Sequence, residues 1–218
     1  MDLGQELEGI FDSAFETQVQ ESLLKCLFSS YKVSSSECKK KFPYEEEWHD
    51  VLPFYRWGQL RTELRGLGGR FKHIEATAEP NGIASNYHII INSDRVMLTV
   101  SSVDRPGGYP RPATFRSDYA NINEPDLFKP LPTYSKVYAL LIHGVDRTDE
   151  DRRQPAFAQI VFPAPGFKSY IHKIDMFGRY SSLVKSLSIP IEERKEYIDP
   201  TRKEPMPQII KKAVGDNL

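Results

Sequence analysis

Residues 137–142, Val-Tyr-Ala-Leu-Leu-Ile, are apolar without a break, and residues 156–162 form a second run interrupted only by Gln159. Runs this short fall well below the ~18–20 apolar residues of a membrane helix. A short continuous apolar run suits a central strand. Strands are therefore expected at 137–142 and 156–162, separated by the charged loop 144–155. Upstream, Phe71 to Glu79 alternates roughly between apolar and polar residues and ends at Pro80-Asn81-Gly82. The β-rich runs Tyr87 to Ile91 and Val96 to Val103 flank Asn92-Ser93-Asp94-Arg95, which is a hairpin signal.

The helical segments bracket these strands. Leu3, Leu7, Ile10, Phe11, Ala14 and Phe15 recur at spacings of three and four, and Leu23, Leu24, Leu27 and Phe28 continue the pattern, so one amphipathic helix is expected over 3–31. Ser34-Ser35-Ser36 reads as a loop. A helical region begins near Tyr44, and a fresh helix is expected at Pro53, because proline is tolerated in a first turn but not in a helix interior. Trp57, Leu60, Leu64 and Leu67 mark its buried face, and Gly66, Gly68 and Gly69 its end. Residues 112–121 form a short helix candidate. A long helix is expected over 166–187, its apolar stripe changing face near Gly178, with Lys168, His172, Asp175 and Arg179 along a polar line.

These elements predict an α+β protein: a single domain over 44–187 with a mainly antiparallel sheet of about five strands flanked by helices, plus an N-terminal amphipathic helix. Residues 1–43 hold that helix and a loop, and 188–218 form a charged, proline-containing tail. With 39% hydrophobic residues, 12 Phe, 11 Tyr and 2 Trp, there is material for a core, so disorder is not the default. Two cysteines, Cys26 and Cys38, cannot make a disulfide framework. The acidic N-terminus has neither the basic start nor the apolar run of a secretory signal. The expected compartment is the cytoplasm, with no membrane partner.

Most familiar chemistries fail on their motifs. From residue 53 the order helix, three strands, helix, strand matches the restriction-endonuclease-like nuclease core. That chemistry needs acids on the second and third strands and a lysine two residues after the last acid, to hold a metal that activates water. The third strand, Val96 to Ser102, has neither acid nor lysine, so the catalytic candidates are Glu75, Asp94 and His143. There is no G-x-S-x-G elbow after the Leu-Leu-Ile-His143-Gly run, and no histidine precedes His49-Asp50 to complete a phosphohydrolase metal set. No Walker A loop, G-x-G-x-x-G or zinc spacing occurs, so no cofactor and no metal are expected.

Net charge is −1, so a nucleic-acid argument must rest on a local patch. Residues 53–72 supply one: Arg56, Arg61, Arg65, Arg70 and Lys72 against the single acid Glu63, with Phe54, Tyr55 and Trp57 interleaved. Arginines flanking an apolar helix face also snorkel along the core edge. Three readings result. The first is a non-catalytic regulatory or interaction protein whose partner is another protein or a second copy. The second is a divergent metal-dependent nuclease or phosphodiesterase. The third is a nucleic-acid-binding module using the helix at 53–72. Six acids and no base among residues 1–24 would make any self-pairing of the first helix antiparallel.

Overall fold

The computed structural model describes residues 3–81, 87–124, 136–145 and 152–188. Three helices come first: α1 (Leu3–Ala14), α2 (Thr17–Lys41) and α3 (Glu45–Arg70). The strands β1 (Glu75–Pro80), β2 (Tyr87–Asn92) and β3 (Val96–Ser102) follow, then α4 (Thr114–Ala120), then β4 (Val137–Val145), β5 (Pro155–Pro163) and β6 (Tyr170–Asp175). Two short helices, α5 (Met176–Arg179) and α6 (Ser181–Leu187), end the described chain. The sheet runs in sequence order, β1 to β6. Every neighbouring pair is antiparallel except β3 and β4, which are parallel and joined by the crossover that carries α4. Parallel neighbours require such a crossover, since a hairpin can only reverse direction.

The fold is α+β with a mainly antiparallel sheet, as the strand and helix signals predict, but it has six strands rather than five. The sixth lies where a long helix is expected. Between Phe162 and Pro163 the register shifts: Pro163 pairs with Tyr170, yet Phe162 pairs with His172. Ile171 is the extra residue of a bulge. Tyr170 therefore packs on one face of the sheet while Ile171 and Ile174 pack on the other. A spacing of three between like-facing residues is what a helix also shows, and the sequence pattern could not separate the two.

Helices α1, α2 and α3 cover one sheet face. Leu7, Phe11, Phe15, Leu23, Leu27, Leu60 and Leu64 meet Ile89, Ile91, Leu98, Val100, Ala139, Leu141, Ile160 and Phe162 in the main core. Along β4 the alternate residues Leu140 and Ile142 point the other way, into a smaller cluster with Val103, Phe157 and Val161. Burial on both faces is why this strand has no polar alternation. The crossover is pinned on the second face. His88 stacks on Phe115 of α4 at 3.8 Å between ring centres. The fully buried Asn123 donates to the carbonyls of Tyr138 and Pro163 (2.8 Å each) and accepts from the Tyr138 amide (2.7 Å).

Three local expectations need correction. The first helix breaks after Ala14, where Gln20 donates to the Phe15 carbonyl (2.7 Å) and to Asp12 (2.9 Å), closing the gap before α2. Ser34 to Ser36 lie inside α2, and Ser34 turns its hydroxyl back onto the Tyr31 carbonyl (3.2 Å). Helix α3 runs straight through Pro53. Pro53 is exposed, so its ring lies on the solvent side of the helix and displaces no core side chain. The expected tail lies, from residue 189, outside the described residues.

Candidate functional site

The three catalytic candidates from the sequence do not meet. Glu75 opens β1 opposite Asn92, and Asp94 is exposed in the β2–β3 turn, so both stand at one end of the sheet. His143 pairs with Ser102 at the far end of β3, whereas Asn92 pairs with Met97 near its start. Five residues of strand separate those levels, about 17 Å at ~3.3 Å per residue. Among the described residues, no group of three or more His, Cys, Asp and Glu is placed to hold a metal ion.

His143 belongs to a buried cluster instead. Its Nδ1 shares a hydrogen bond of 2.9 Å with the Tyr31 hydroxyl, while its Nε2 is buried without a hydrogen-bond partner. The Arg56 guanidinium lies 3.9 Å from the centre of the Tyr31 ring and donates to the Arg152 carbonyl at 2.9 Å. Burial, reinforced by Arg56, pushes His143 down to about 3, and burial lifts Tyr31 to about 12. At neutral pH the cluster is thus a neutral imidazole, a neutral phenol and one cation. The Tyr31 ring face offsets part of the cost of burying that cation.

The basic segment is dispersed in the same way. Arg56 is in the interior. Arg61 is half-buried beside the Trp57 ring, 5.7 Å from its centre. Arg70 is exposed, and it donates to the Gly66 carbonyl (3.2 Å) and to the Cys26 sulfur (3.4 Å). Arg65 and Lys72 are exposed.

A cleft of about 380 Å³ opens on the second face of the sheet, between the start of α4 and the β5–β6 turn. Tyr109, Arg111, Arg116, Ser117, Phe167 and Lys168 are among its walls, which hold three cations and no carboxylate. Two turns carry its walls, one leading into Tyr109 and the other holding Gly166 and Phe167. In the first, the Gly108 amide donates to the Arg105 carbonyl (2.9 Å) and the Gly107 amide to the Gln159 side chain (2.7 Å). Gly107 has φ +67°, a conformation natural to glycine. In the second turn Gly166 (φ 72°) and Phe167 (φ 59°) are both left-handed, and the Gly166 amide donates to Asn121 at 3.0 Å. A phenylalanine held at positive φ stores on the order of 1–2 kcal/mol of strain, the kind of outlier that gathers at functional sites.

Ring contacts and hydrogen bonds hold the walls together. Tyr109 is 53% exposed, yet its ring stacks on Tyr170 at 4.7 Å and 8° and meets Phe167 edge-on at 6.4 Å. Tyr170 anchors the first turn by donating to the Gly108 carbonyl (2.8 Å). Arg116 donates to the Arg111 carbonyl (2.6 Å) and to Ser101 (2.8 Å), while its Nε is buried without a partner. Burial lowers its pKa below the usual arginine range, and the counter-effect comes from Tyr138 and Tyr170 rather than from a carboxylate. Among the described residues Arg111, Arg116 and Lys168 form no ion pair. Such a site can accept an anion at little cost in reorganisation.

Sequence reasoning passed over this site. Tyr109 and Pro110 read as loop, Arg116 and Ser117 as part of the short helix over 112–121, and Lys168 as part of the long helix over 166–187. The available signal was the alternation of aromatic, proline and arginine in Tyr-Pro-Arg-Pro. Comparisons with protein-family models, with curated proteins and with solved structures find no match.

Proposed function

We propose that the chain is a non-catalytic binding protein, regulatory or adaptor in role, that captures an anionic ligand in the cleft between residues 109–117 and 166–168. The observation that carries this reading is the cleft's lining of three cations without a carboxylate. The separation of Glu75 and Asp94 from His143 along the sheet speaks on the same side. The ligand anion belongs to a macromolecular partner or to a small molecule that switches one. A cytoplasmic setting is part of the proposal, supported by the free thiols of Cys26 and Cys38. Among the described residues no helix is long and apolar enough to cross a membrane.

Thermal denaturation with added pyrophosphate tests it. The melting temperature is expected to rise with pyrophosphate concentration beyond a sodium chloride control of equal ionic strength. The double variant Arg111→Gln/Lys168→Gln is expected to lose that rise. A flat response in the native chain would refute the reading.

A divergent nuclease is the second reading, favoured by the order α3, β1, β2, β3, α4, β4. Incubation with single- and double-stranded DNA and RNA in magnesium and in manganese decides it. Cleavage abolished by Glu75→Gln or Asp94→Asn would replace the first reading with the second.

A further inference from the structure

Resting on the anion-binding reading, we infer that the cleft recognises a nucleotide unit, with a base stacked on Tyr109 and a phosphate held among Arg111, Arg116 and Lys168. Cations alone would suit any anion. The aromatic wall narrows the choice. Tyr109 keeps half its surface in water although its ring is locked against Tyr170 and Phe167, so its entropy of ordering is already spent. Lys173 lies over the Tyr170 ring at 5.3 Å, adding a cation behind the stack. Ring planes continued outward from such a ladder are what a nucleobase extends, since every base offers a π-face. Beside it, the partly buried Arg116 carries a charge that no acid among the described residues meets. A phosphate supplies that counter-charge. The volume, about 380 Å³, lies at the low end of small-ligand pockets, which fits one nucleotide rather than a dinucleotide.

The unit can arrive as a free nucleotide or within a single strand. Fluorescence anisotropy with 5′-fluorescein-labelled hexathymidylate, and calorimetry with AMP, separate these sources. If the hexamer binds and AMP does not, the source is a strand. If AMP alone saturates the site, it is a free nucleotide. Either outcome supports the inference, provided Tyr109→Ala weakens the bound probe about 5- to 150-fold. Tyr109→Phe, which keeps the stacking face, is expected to bind like the native chain. Tyr109 is exposed, and circular dichroism of both variants confirms that neither effect is misfolding. For the hexamer, Arg111→Gln/Lys168→Gln is expected to shallow the slope of log K on log salt by about 1.4, roughly 0.7 per cation.

Other outcomes overturn the inference. Pyrophosphate binding that Tyr109→Ala leaves unchanged, with no gain from a base, would mean a plain anion site, which keeps the anion-binding reading and removes this one. Phenyl phosphate binding more tightly than AMP would assign the ring to a phosphotyrosine. Hexamer binding lost in Arg65→Gln/Arg70→Gln but not in the cleft variants would move the interface to α3. If pyrophosphate, AMP and the hexamer all fail to bind, both readings fall together.

Discussion

His143 is buried, and its one hydrogen-bond partner is the Tyr31 hydroxyl. Its unfolded value is near 6.5, and in the fold it falls to about 3. Between those values the unfolded chain holds a proton that the folded chain refuses. Stability is then complete above pH 6.5 and is lost as pH falls toward 3, with a limiting slope of about 1.4 kcal/mol per pH unit. His88, buried and also lowered, contributes with the same sign. Urea midpoints at pH 7.5, 6 and 5 are expected to decline, and His143→Gln to flatten that decline by close to one proton. An unaltered slope in the variant would place the titration elsewhere. Gly144, beside it, is fixed by space: a Cβ there would collide with the Val103 carbonyl oxygen and the Phe157 ring.

Between elements, polar contacts fasten α1 to β6 and to α5. Arg179 pairs with Glu8 and with Asp12 (2.6 Å), and His172 meets Glu8 at 3.0 Å. Gly4 lets the helix approach closely, since a Cβ there would stand 2.6 Å from the His172 ring. The partners are a third or more exposed, so Arg179→Ala is expected to cost about 1 kcal/mol or less. Denaturation at low salt and in 1 M sodium chloride checks this: the difference between native and variant should shrink with salt. Elements whose pattern follows one period were legible in the sequence, β4 and the β2–β3 hairpin foremost. Strand β6 was not, because its bulge imitates a helical spacing. The cleft was illegible for a different reason. Arg111, Arg116 and Lys168 come from segments that only the crossover and the β5–β6 turn bring together, and no local pattern encodes that meeting.

At the scale of the molecule, α1 and α2 supply a large part of the layer that covers one sheet face. Removing residues 1–15 would strip Leu7, Ile10, Phe11, Ala14 and Phe15 from the main core. The expected result is loss of near-ultraviolet circular dichroism and of a cooperative melt, whereas removing residues 189–218 should shift the melting temperature by only a few degrees. A chain starting at residue 16 that melts sharply and stays monomeric in light scattering would show that the helical layer can do without α1. The bulge in β6 has a consequence for heredity. Deleting one residue from a strand ordinarily turns the side chains on one side of the gap over to the wrong face. Here Ile171 and His172 are both set against the single Phe162, so losing either one restores strict alternation with every remaining side chain on its present face. Descendants of this chain can therefore differ in length by one residue at this edge of the sheet and still set Tyr170 behind Tyr109 and Ile174 against the helices.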